Sequence, residues 1–151
     1  MKSVKIIGLS VCLFGSILLN THAFAGDTAS AAGAKVGFVN LKDGDTVKSP
    51  VKIEFMIEGM ELAPADTEKA NTGHHHLLID RAPIGKGPDG AEEFNVAIMK
   101  DANNVHFGKA QTETMLELTP GKHTLQMVLG DLYHVPHNPP VVSDVITITV
   151  E

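Results

Sequence analysis

The stretch VKIEFMIEG, Val51–Gly59, decides the fold class. Val51, Ile53, Phe55 and Ile57 share one parity, and Lys52, Glu54, Met56 and Glu58 share the other. Successive side chains of an extended chain point to opposite faces, so this pattern describes a strand with one buried face and one wet face. Upstream, KVGFVN (Lys35–Asn40) is a shorter β-prone run, separated from it by the turn signals Asp43-Gly44 and Ser49-Pro50. Downstream, HHHLLID (His74–Asp80), QTETMLEL (Gln111–Leu118), KHTLQMVLGD (Lys122–Asp131) and VVSDVITITV (Val141–Val150) read as further strands. Arg81–Asn104, rich in Gly, Pro and Asn, reads as a long excursion, with a strand and a helical turn both open around Phe94–Met99. LYHVPHNPP (Leu132–Pro140) is a loop stiffened by Pro136, Pro139 and Pro140. No segment carries a helical stripe. About seven short strands between turn signals predict an all-β, immunoglobulin-like antiparallel β-sandwich over residues 35–151. That domain has neither the cysteine pair nor the tryptophan of antibody domains, so the expectation concerns architecture alone.

The N-terminus reads differently. Lys2 and Lys5 precede an almost wholly apolar run, Ile6–Leu19, and Ala23-Phe24-Ala25 has the small-x-small form of a cleavage site. Residues 1–25 are expected to be a secretory signal peptide cut after Ala25, the run being too short for a membrane span. A lipoprotein reading through Cys12 is disfavoured by Val11, where a small residue is needed. Residues 26–34, GDTASAAGA, are small and polar and read as a flexible leader. The expected location is periplasmic or secreted, with no membrane span in the mature chain.

Cleavage would remove Cys12, and with it any disulfide, thiolate metal site or cysteine nucleophile. Losing Lys2 and Lys5 from 12 basic residues, against 18 acidic ones, takes the formal net charge from −6 to −8. So acidic a domain excludes nucleic acid and anionic lipid as natural partners and favours cations.

The histidines carry the functional signal. In a strand His74 and His76 share a face, with imidazoles roughly 6.5–7 Å apart at Cβ, close enough to grip one metal. His134 and His137 lie in the proline-stiffened loop, which loses little entropy on docking a ligand. His106, in VHFG, is either a further ligand or a structural histidine. His123 opens an alternating strand after a turn glycine, where a corner residue bonds the backbone. In a sandwich alternate loops gather at one end, so these groups can meet. Neutral imidazoles suit copper(II), zinc or nickel. Outside the cytoplasm and without cysteine, copper is the first choice, zinc the second; Met56, Met60, Met99, Met115 and Met127 are available to copper(I), with Met127 expected in the core. Asp80 and Asp131 are candidate acceptors that orient imidazoles. A hydrolase is disfavoured: no serine stands in a nucleophile elbow, and there is no phosphate loop and no His-Glu-x-x-His.

The blocks GHHHLLID, HFGKAQTETMLEL, PGKHTLQMVLGD and HVPHNPPVVSDVITITV, spanning Gly73–Val150, resemble the bacterial family called domain of unknown function 4399. Lys109 and Ala110 stand where that family is expected to be richer in glycine. The resemblance implies an exported single domain and no particular activity. GHHHLLID is also similar to GH-x-H…D strands of periplasmic β-sandwich domains linked to copper handling. The expectation is therefore a non-enzymatic metal-binding protein, with copper or zinc held by His74, His76, His134 and His137 and with His106 nearby. The alternative is a cell-envelope interaction module, with an unidentified envelope protein as partner, whose histidines form a structural hydrogen-bond network.

Overall fold

A computed structural model of the chain describes Gly26 and residues 28–151. The expected signal peptide, with Cys12 and His22, lies outside the described residues. Nine strands follow: β1 (Lys35–Phe38), β2 (Thr46–Val47), β3 (Val51–Glu58), β4 (Glu61–Leu62), β5 (Thr72–Ile79), β6 (Asn104–His106), β7 (Glu113–Leu116), β8 (Gly121–Gly130) and β9 (Ile146–Val150). One sheet has the order β1-β3-β7. The other runs β2-β9-β8-β5-β4, with β6 also paired to β5. The long pairings are antiparallel, and only the two-residue strands β2 and β4 pair in parallel, with β9 and β5. The molecule is a β-sandwich, as expected. Six of the nine match the strand stretches read from the sequence; the other three, β2, β4 and β6, are short pieces in stretches that read as turns and loops.

β3 behaves as its alternation dictates. Val51, Ile53 and Phe55 are buried, while Lys52 is exposed and reaches Glu54 at 2.7 Å and Glu113 of β7 at 3.1 Å. Across from the apolar face stand Leu77 and Ile79 of β5, Leu125, Met127 and Leu129 of β8, and Ile146, Ile148 and Val150 of β9. Each such side chain contributes about 1.5–3 kcal/mol by leaving water.

β5 is buried at every position, unlike the half-wet β3. A strand reads this way when both of its faces are covered. The inner face meets β3. The outer face is covered by the 81–104 excursion, whose Ile84 and Ile98 pack with Leu78 and Val128, with Phe94 against them. Past Phe94, the stretch to Met99 forms neither a strand nor a helical turn; a 3₁₀ turn over Gly90–Phe94 ends where that stretch begins. Arg81 pairs with Glu93, whose other oxygen accepts the Gly85 N–H at 2.7 Å, so the excursion is anchored to the end of β5.

His123 takes the corner role expected of it. Its Nδ1 donates to Asp80 Oδ2 at 2.7 Å and its Nε2 to the Thr119 carbonyl at 2.8 Å. Asp80 Oδ1 also accepts the Thr124 N–H at 2.9 Å, which joins the end of β5 to the start of β8. Both partners of the ring are acceptors, an arrangement that favours the doubly protonated imidazolium. Burial opposes that charge, but the two hydrogen bonds outweigh it and hold the imidazole above its ordinary pKa.

Residues 28–34, expected as a leader apart from the domain, lie along the 136–140 loop. Ala29 bridges Asn138 in parallel, and the Ser30 N–H donates to the Asn138 carbonyl at 3.1 Å. The small side chains that suggested a linker are what allow so close a backbone approach. No helix among the described residues is long and apolar enough to cross a membrane.

Candidate metal centre

The outer face of the six-stranded sheet carries the site. The pleat of β5 puts His74 and His76 on that face, with His75 on the other. His106 of β6 is directly opposite His76, and on the other side Gly130 and Val128 of β8 are opposite His74 and His76. The chain then turns at Asp131. Asp131 Oδ1 accepts the N–H groups of Tyr133 and Val135 at 2.8 and 2.9 Å, and its carbonyl accepts that of His134 at 3.0 Å. His134 has φ of +68°, a left-handed conformation that reverses the chain and returns its ring over β5. The His134 carbonyl accepts the Ile98 N–H at 2.9 Å, tying the turn to the excursion.

Four imidazoles thereby converge: His74 and His76, fully buried, and His106 and His134, half-buried, each offering a nitrogen within 4.8 Å of the others. His74 Nε2 lies 2.9 Å from His76 Nε2 and 3.1 Å from His134 Nδ1. An imidazole nitrogen has a single in-plane position, filled by a proton or by a lone pair. That one position cannot serve both contacts well. His76 Nδ1 and His106 Nε2 are buried without a hydrogen-bond partner among the described residues. A cation at the point of convergence would take up the lone pairs. Nitrogen ligands at 2.0–2.1 Å stand no more than about 4 Å apart, so side-chain adjustments below an ångström complete the shell.

The electrostatics suit such a guest. Burial pushes His74 down to about 3 and His76 to about 2, and the neighbouring imidazoles add to the effect. Burial, with His134 and Lys100 nearby, also lowers His106, against the opposing pull of Asp66. His74, His76 and His106 are thereby held toward the neutral form, the state in which imidazole ligates.

Glycines make room for the rings. A Cβ at Gly130 would stand 2.7 Å from His76 Nε2, and one at Gly108 would stand 2.3 Å from His106 Cε1. Sequence reading passed over these residues. The available signal was a glycine ending a strand, which marks close approach of another group.

His137, expected beside His134, is outside the group. It is buried under the start of β5, its Nδ1 3.3 Å from the Leu129 carbonyl and its Nε2 3.2 Å from that of Thr72. The left-handed turn at His134 and the bridge between Pro136 and Gly130 send the two histidines of the pair in opposite directions. His75 faces the core, 5.1 Å from the Phe55 ring, and neither of its nitrogens has a partner among the described residues. Asp80 orients His123, outside the group, and Asp131 bonds backbone and Thr28 instead of an imidazole. Met127 is in the core and Met60 beside it, while Met99 and Met115 are exposed.

A β-sandwich with an imidazole cluster on the outer face of its larger sheet is the class that fold and site define. The chain belongs to the family described as Domain of unknown function (DUF4399), whose model matches residues 53–151 and so takes in all four clustered histidines. No curated protein and no solved structure matches the chain.

Proposed function

We propose that the protein binds a transition-metal ion through His74, His76, His106 and His134. The observation that carries this reading is the position of His74 Nε2, within 3.1 Å of two further ring nitrogens that one imidazole cannot satisfy together. Four imidazoles without thiolate favour copper(II) over zinc and nickel, following the general affinity order. With four protein ligands the shell is filled, which suits holding an ion more than turning over a substrate on it. The basic start, apolar run and Ala-Phe-Ala of the N-terminus support export to the periplasm or beyond, where copper is met without competition from cytoplasmic thiols.

Metal analysis of the purified protein without a His tag, followed by copper(II) and zinc(II) titration, tests this. Sub-micromolar binding is expected, and its loss in a His76→Ala/His134→Ala double variant. The envelope-module reading draws on the same His74 contacts, taken as hydrogen bonds. Weak binding unchanged in the double variant, with a lower Tm, would establish that reading and remove the metal.

A further inference from the structure

The turn that presents His134 is closed on its outer side by the N-terminal segment. Asp131 is fully buried, and its carboxylate divides its work: Oδ1 accepts the Tyr133 and Val135 N–H groups, while Oδ2 accepts the Thr28 hydroxyl at 2.6 Å. Thr28 is held in turn, its carbonyl accepting the Asn138 N–H at 2.9 Å, later in the same loop. Gly26 also lies close against the excursion that binds His134 through Ile98, a Cβ there standing 2.9 Å from the Phe94 carbonyl. Gly26 and Thr28 thus approach both segments that fix His134.

We propose that Thr28 is a positioning residue for the four-histidine group, acting through Asp131 to hold His134 in register with His74. A left-handed φ at a residue other than glycine persists only where its surroundings impose it. The hydroxyl bond to a buried carboxylate is the contact that holds that carboxylate from outside the turn. The inference rests on the proposed metal reading only for its consequence on affinity; the placement of His134 is a property of the metal-free protein.

The test uses Thr28→Val, which keeps shape and removes the donor, with Thr28→Ser as the rescue. Ser30→Ala is the control, because that side chain bonds the Pro139 carbonyl at 2.8 Å and not Asp131. In the metal-free protein, ring-to-ring nuclear Overhauser contacts between His134 and His74 and amide exchange at Tyr133, His134 and Val135 are measured by NMR. Thr28→Val should weaken the ring contacts and speed those amides about tenfold, the value of one hydrogen bond to a charged group. Thr28→Ser and Ser30→Ala should match the parent. Copper(II) dissociation from Thr28→Val should be faster by a similar factor. Unchanged ring contacts and amides in Thr28→Val overturn the proposal, as does an equal response to Ser30→Ala. Should the parent bind no metal while the NMR changes appear as expected, the positioning role stands and the metal reading falls.

Discussion

Gly130 of β8 faces His74 of β5 across the ladder, and its missing side chain is the space the His76 ring fills, a Cβ there standing 2.7 Å from Nε2. The contact is between a ring and strand backbone, so neither has slack. Gly130→Ala is expected to push His76 out of the group and weaken metal binding by about 10- to 100-fold, the usual effect of disturbing the support of a ligand. Titration of the folded variant checks it; unchanged affinity would show that His76 is dispensable.

His106 and His137 should separate cleanly. His106→Ala removes a ring of the group and is expected to abolish tight binding with a small loss of stability. His137→Ala empties a buried site and removes the ring N–H that lies between the Leu129 and Thr72 carbonyls, so a loss of about 2–3 kcal/mol is expected. Affinity of its folded fraction should stay near that of the parent. Denaturant melts beside titrations distinguish the two.

The metal-free protein should lose stability as pH falls. His74, His75 and His76 are held at about 3, 4 and 2, burial being the first cause in each case, against an ordinary value of 6.5. Below 6.5 the unfolded chain binds protons that the folded chain refuses, so their contribution is complete above 6.5 and falls steadily toward pH 4. His123, held above its ordinary value, works with the opposite sign: its contribution is present below 6.5 and fades as pH rises through its folded pKa. Chemical denaturation with a chelator at pH 7.5, 6.0 and 5.0 should give a falling series. A flat profile would mean that the three imidazoles can be protonated in place.

His75→Leu is expected to stabilise the metal-free protein. The imidazole sits in the core against Phe55, with both nitrogens unpaired among the described residues. Two desolvated polar atoms replaced by apolar ones of similar volume should yield a gain of about 1 kcal/mol or more. A drop in Tm would indicate a polar partner inside the core, such as an internal water.

Much of this was legible before folding. The alternation of β3 and of β8 named the inward residues one by one, because period two ties position in sequence to face. The same rule put His74 and His76 together and apart from His75. His123 could be read as a corner residue from its place after a turn glycine. The long excursion hid its purpose, since a polar, proline-rich sequence gives no sign that Ile84 and Ile98 cover the outer face of β5.

What the sequence by itself determined was local: the identity of the longer strands, the inward parity of β3, the pairing of His74 with His76. Which other histidines join them was decided by tertiary structure alone. His106 arrives through the register of β6 on β5, and His134 through a left-handed turn that Asp131 and the N-terminal segment hold closed, while His137, three residues on, is turned into the fold. Register and turn handedness arise from contacts between residues far apart in the chain, and spacing along a single chain carries no record of them.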